Sequence, residues 1–119
     1  MKTVLIVDDK KVQLKTLKRA LRTRGFLVIE AISGKQALDR LGNFKTIDIV
    51  LTDYAMPEMN GIQLLQKIRE TNKTLPVVLM TAYGEKDLVI EAMHCRCNGF
   101  IDKPFDIDEL LDIVNKYDC

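Results

Sequence analysis

The sequence predicts one α/β domain over residues 1–119, a doubly wound, five-stranded parallel sheet with five helices. Two patterns predict it: short, nearly continuous apolar runs rich in β-branched residues, and stripes of apolar residues at helical spacing that alternate with those runs. Strands that are apolar along their whole length need cover on both faces, and the intervening amphipathic helices supply it. A chain of 119 residues holds one such core and not two.

Thr3 to Val7 is the first strand, closed by Asp8 and Asp9; Leu14, Leu17 and Leu21 then recur at helical spacing until Gly25 stops the helix. Phe26 to Ala31 is a second strand. Ser33-Gly34-Lys35-Gln36 has the spacing of a capping box opening a helix with Ala37, Leu38 and Leu41 on one face. Ile47 to Thr52 is a third strand, Asp53 to Gly61 a loop broken by Pro57, and Ile62, Leu65 and Ile68 the stripe of a third helix. Leu75 to Thr81 is a fourth strand, followed by Gly84 and a helix carrying Leu88, Val89, Ala92 and Met93. Gly99 to Asp102 is a short fifth strand. Beyond Lys103-Pro104-Phe105, Asp106 and Glu109 cap a last helix with Ile107, Leu110, Leu111 and Val114 inward.

Composition excludes several function classes. Lys+Arg 18 against Asp+Glu 17 gives a net charge of +1, so no direct nucleic-acid binding is expected. The apolar runs fall far short of the roughly 20 residues that span a bilayer, and the N-terminus lacks a signal-peptide pattern, so a cytoplasmic protein without membrane partners is expected. Cys95, Cys97 and Cys119 are an odd number crowded into the last quarter of the chain, which reads as reduced thiols. Beside His94, the pair Cys95 and Cys97 has soft-ligand character, but no fourth ligand is evident and packing is the better reading. Seven cations from Lys10 to Arg24 line the first helix without an intervening acid, a solvated face or a docking face. The acids Asp106, Asp108, Glu109, Asp112 and Asp118 offer it weak ion pairs if the first and last helices are neighbours.

In a doubly wound sheet, ligands bind beyond the carboxyl ends of the strands. The residues that close the apolar runs are Asp8 and Asp9, Asp53, Thr81 and Lys103: three carboxylates, a hydroxyl and an amine at one edge. Crowded carboxylates repel unless a cation sits among them, and a hard divalent ion such as Mg²⁺ suits oxygen ligands. A carboxylate beside a metal, an ammonium and a hydroxyl is arranged to attack a phosphoryl group, which makes Asp53 the candidate nucleophile.

These residues stand in four motifs, Val4-Leu5-Ile6-Val7-Asp8-Asp9, Asp53-Tyr54-Ala55-Met56-Pro57-Glu58-Met59-Asn60-Gly61, Met80-Thr81-Ala82 and Lys103-Pro104-Phe105. In that order and spacing the chain resembles the CheY-like receiver domain of two-component response regulators over essentially its whole length. The resemblance implies a flavodoxin-like strand order 2-1-3-4-5. It implies that Asp53 accepts a phosphoryl group from a phosphohistidine on a sensor histidine kinase or histidine phosphotransferase. It further implies Mg²⁺ held by Asp9, by Asp8 through water, by Asp53 and by the Ala55 backbone carbonyl. Thr81 and Lys103 would hold phosphoryl oxygens, the Lys103-Pro104 bond would be cis, and Thr81 and Phe100 would switch the surface of the fourth helix, fifth strand and fifth helix for a downstream protein target. Such a protein is a signalling phosphoacceptor that assists its own phosphorylation and dephosphorylation, not a conventional enzyme. Met80 to Glu85 and Lys103 to Glu109 carry a closer likeness to the stand-alone receiver of the sporulation phosphorelay, so a single receiver domain without an output domain is expected.

Arg96 departs from the family pattern, standing where glycine is usual. Ala55 and Tyr83 offer no acid or amide to orient water, so a long-lived aspartyl phosphate is expected. Competing readings are a receiver fragment of a longer regulator, a metal-dependent phosphatase with an Asp nucleophile, which lacks its D-x-D pattern here, and an interaction module that never carries phosphate. A flavodoxin-like cofactor carrier and a nucleotide kinase lack their phosphate loops.

Overall fold

In the computed structural model, which describes residues 2–44, 46–82 and 97–116, the apolar runs form one five-stranded sheet. Its strands are β1 (Thr3–Val7), β2 (Leu27–Ala31), β3 (Ile49–Asp53), β4 (Val77–Thr81) and β5 (Gly99–Asp102). The order is β2-β1-β3-β4-β5 and every neighbouring pair is parallel. The described helices are α1 (Lys11–Arg22), α2 (Gly34–Asn43), α3 (Gly61–Thr71) and α4 (Ile107–Lys116). The predicted helix with Leu88, Val89, Ala92 and Met93 lies outside the described residues, as do Tyr83, His94, Cys95, Arg96, Asp118 and Cys119. Among the described residues, no helix is long and apolar enough to cross a membrane.

β1, β3 and β4 are buried at every position, the outcome their unbroken apolar runs demand. Alternation along the strands splits the core in two. Val4, Ile6, Leu51, Val78 and Met80 face α1 and α4 through Leu14, Leu17, Leu21, Leu110 and Val114. Leu5, Val7, Val50 and Val77 face α2 and α3 through Ala37, Leu64, Leu65 and Ile68. β2 is the half-exposed edge strand, and Glu30 on it takes the ion pair of the basic α1, from Lys18 at 2.8 Å. Among the described residues, the α1 cation with an ion pair is therefore Lys18, and its partner lies on β2 and not on the acidic last helix.

Helix boundaries follow local chemistry. Gly25 at φ +91° ends α1, with the Phe26 amide donating back to Leu21 O. Ser33 caps α2 through the Gln36 amide, while the Gln36 side chain reaches one residue further than a reciprocal box requires and accepts from Ile32 N–H. The complete capping box is at α3, where Asn60 and Gln63 exchange side-chain-to-backbone bonds of 2.9 Å. Asp106 caps α4 by accepting from the Glu109 amide at 2.8 Å. Strands predicted from Phe26, Ile47 and Leu75 start one or two residues later. At β4 the reason is visible: the Leu75 amide is still turned to Asn72 Oδ1, and Pro76 has no amide for the ladder.

α3 starts hard against the end of β3. The Gly61 amide donates to Tyr54 O at 2.8 Å, and a Cβ at Gly61 would lie 2.6 Å from the Asp53 carbonyl oxygen and 3.0 Å from Tyr54 Cα. Backbone atoms cannot yield as a side chain would, so Gly61→Ala is expected to destabilise the fold by about 1–3 kcal/mol. Urea denaturation checks this; an unchanged midpoint would show that the β3 end shifts freely.

Candidate functional site

Because all five strands run parallel, their carboxyl ends share one edge, and the residues singled out by sequence converge there. Asp8 follows β1, its amide donating to Ala31 O and its Oδ1 accepting from Lys10 N–H at 2.9 Å in a turn that aims the carboxylate at the sheet edge. Asp53 is the last residue of β3 and 4% exposed; the next amide, of Tyr54, donates to Met80 O of β4. Lys103, just beyond β5, brings Nζ to 2.8 Å from Asp53 Oδ1 and 3.8 Å from Asp8 Oδ2. The Lys103-Pro104 bond is cis, and the Lys103 amide donates to Thr81 O at 2.7 Å, locking the segment after β5 to the end of β4.

Asp8, Asp9 and Asp53 each place a carboxylate oxygen in a cluster whose members all lie within 4.8 Å of one another. Three carboxylates against one ammonium leave an excess of two negative charges, which one divalent cation cancels. The donor set fits such an ion on a second count: Asp8 Oδ2 and Asp9 Oδ1 are buried side-chain oxygens with no hydrogen-bond partner. Buried acceptors without donors are costly, and an all-oxygen donor set suits Mg²⁺.

Burial pushes the Asp8 carboxyl above its ordinary value. The Lys10 amide draws it down, Asp53 raises it, Lys103 lowers it and Asp9 raises it again. A carboxyl with a higher pKa folded than unfolded takes up its proton more readily in the folded state. The contribution of Asp8 to metal-free stability is therefore fully present below 3.8, the unfolded value, and is lost as pH rises through the raised one.

Of the remaining predicted residues, Thr81 is 2% exposed and its hydroxyl donates to Asp102 Oδ1 at 3.0 Å. Phe100 lies two residues before Asp102 on the same face of β5, packed against the cluster of Ile62 and Leu79, as Tyr54 is. Ala55 is exposed in the loop after β3. Cys97 behaves as a packing residue, its thiol donating to Gly99 O at 3.0 Å. Asp102 was not anticipated. Its signal was the period of two along β5, which sets position 102 on the face of Phe100; the β4–β5 register then places it opposite Thr81.

Compared with known proteins, residues 4–115 match the response regulator receiver domain family. Regulatory protein AtoC of Escherichia coli is 40% identical over 113 residues, 95% of this chain but 24% of that protein, so the chain spans about a quarter of its length. Sporulation initiation phosphotransferase F of Bacillus subtilis is 37% identical over 114 residues, 96% of this chain and 91% of that protein. Among solved structures, a response regulator receiver domain protein from Clostridium thermocellum superposes with a TM-score of 0.93 at 28% identity, covering 98% of this chain and 94% of that one.

The charge balance sets an expectation for metal-free protein. Asp8 contributes a loss of wild-type stability with rising pH across its titration, and Asp8→Asn removes that component and adds about 1–2 kcal/mol at pH 7. Adding MgCl₂ raises the wild-type melting temperature, and Asp9→Asn loses most of that gain. Denaturation across pH in chelator and then in MgCl₂ tests both; an Asp8→Asn profile parallel to wild type would assign the slope to other groups.

Proposed function

The chain belongs to the response regulator receiver domain family, and from that premise we propose that Asp53 is its phosphoacceptor, taking a phosphoryl group from a phosphohistidine on a sensor histidine kinase or histidine phosphotransferase. The observation that carries the reading is the Lys103 ammonium 2.8 Å from a buried Asp53, beside two further carboxylates with unpartnered oxygens. In the transfer an Asp53 carboxylate oxygen forms a bond to phosphorus as the phosphorus–nitrogen bond to the donor imidazole breaks, and that bond's electron pair stays on the leaving nitrogen. Little covalent work falls to the protein, so its contribution is position and charge.

Each residue has a task in that step. The strand end and the Gly61 contact fix Asp53, so the nucleophile needs no reordering before attack. Lys103 pairs with the acceptor carboxylate at 2.8 Å and then faces the phosphoryl oxygens. Thr81 supplies a hydroxyl donor from the end of β4. Asp8, Asp9, Asp53 and the Ala55 carbonyl are the proposed ligands of Mg²⁺, which when bound neutralises charge on the phosphoryl oxygens. The consequence is a new pattern of charge beside Thr81 and Phe100, which biases the surface formed with β5 and α4 toward or away from a protein target.

The family motifs shared with the sporulation phosphorelay receiver favour a relay intermediate that passes its phosphoryl group on. A second reading, the receiver portion of a longer regulator, is favoured by the match to a quarter of AtoC.

Incubation with acetyl phosphate and MgCl₂, followed by intact mass, is expected to show one added phosphoryl group on wild type and none on Asp53→Asn. Lys103→Ala should slow phosphorylation on the order of 100-fold while leaving the fold intact. Wild type that stays unmodified with acetyl phosphate and with a phosphohistidine donor would turn the reading toward a phosphate-independent interaction module.

A further inference from the structure

The Thr81 hydroxyl is already engaged. Its single proton goes to Asp102 Oδ1 at 3.0 Å, and a hydroxyl has one proton to give. Thr81 and Asp102 are register partners on parallel β4 and β5, and the Lys103 amide bond to Thr81 O fixes the two backbones at that level. Thr81 is buried while Asp102 is exposed, so its carboxylate can return to water at small loss, whereas the hydroxyl must find another acceptor inside the site.

We propose that Asp102 is a positioning residue that sequesters the Thr81 hydroxyl in the unmodified protein and competes for it with a phosphoryl group on Asp53. The proposal rests on the phosphoacceptor reading of Asp53 and deepens it: the switch has a built-in opponent, supplied by the residue directly before Lys103. Phosphorylation must break the Thr81–Asp102 bond for the hydroxyl to reach a phosphoryl oxygen, and rotation about the Thr81 side chain does this without moving the sheet. The strength of that bond then sets part of the resting balance between the two arrangements. A side chain unable to accept at position 102 leaves Thr81 free to turn in advance.

The experiment is a double-mutant cycle read by NMR titration with beryllofluoride, a phosphoryl mimic, in MgCl₂. Asp102→Ala is expected to tighten binding by about 2- to 10-fold in the Thr81 background. In the Thr81→Ala background the same substitution should change affinity only by the general effect of removing a negative charge, so the two fold-changes differ. Equal fold-changes in both backgrounds, or no tightening at all, would overturn the proposal. Three-bond couplings of Thr81 in the unligated protein give an independent reading: one side-chain rotamer in wild type and a mixture in Asp102→Ala, with an unchanged single rotamer counting against sequestration. Wild type that binds no beryllofluoride would sink the phosphoacceptor reading itself, whereas wild-type binding without coupling sinks only the role of Asp102.

Discussion

Negative charge gathered at one sheet edge is the constraint on which the site depends. Asp8, Asp9 and Asp53 lie close enough to repel strongly, and Asp8 and Asp53 are buried where water screens them little. Lys103 relieves part of this by pairing with Asp53 at 2.8 Å and approaching Asp8 at 3.8 Å. Two carboxylate oxygens remain without donors, so the protein keeps a deficit of positive charge that an incoming cation satisfies. Stability is given up at rest in favour of a site prepared for highly charged ligands, as is common where carboxyl groups are held together for chemistry.

The scaffold can bear that repulsion because everything behind it is apolar and closely packed. β1, β3 and β4 carry no exposed position, and helices close both faces, so the strand ends cannot spread to relieve the crowding. Gly61 brings the start of α3 into contact with the Asp53 carbonyl and Tyr54 Cα, bracing Asp53 from behind. The Asn60–Gln63 box finishes the same helix end, so the loop from Tyr54 to Asn60 is anchored at both ends. Within it Glu58 adopts φ 68°, a left-handed conformation that a residue with a side chain rarely takes, three residues after Ala55 in the same loop.

Across from Asp53, at the end of the neighbouring strand, stands the Thr81 hydroxyl. Thr81 has two prospective acceptors and one proton, and the unmodified protein assigns it to Asp102. Phe100 and Asp102 share one face of β5, so a change in Thr81 is felt by the strand that also carries the aromatic side chain. Under the proposed reading, a fixed Asp53 and a Thr81 hydroxyl that changes partner on the neighbouring strand would let a local change in charge alter a remote surface while the sheet stays in place.

Most of the fold was legible in the sequence because its determinants are local or periodic. Unbroken apolar strands imply two covered faces, Gly25 implies a helix stop, and polar residues closing successive parallel strands must meet at one edge. The residue set Asp8, Asp9, Asp53, Thr81 and Lys103 could therefore be named from sequence, with the strand order supplied by family resemblance. Finer matters depended on contacts between distant residues. Which cations of α1 find an acid, why Gly61 cannot carry a side chain, which oxygens of the acidic cluster lack partners, and where the Thr81 proton goes are set by separations of a few ångströms across elements far apart in the chain. Periodicity could place Asp102 on the right face of β5, but only the β4–β5 register brought its carboxylate to the hydroxyl of Thr81. A hydrogen bond is a property of distance and angle, which spacing along a chain does not encode.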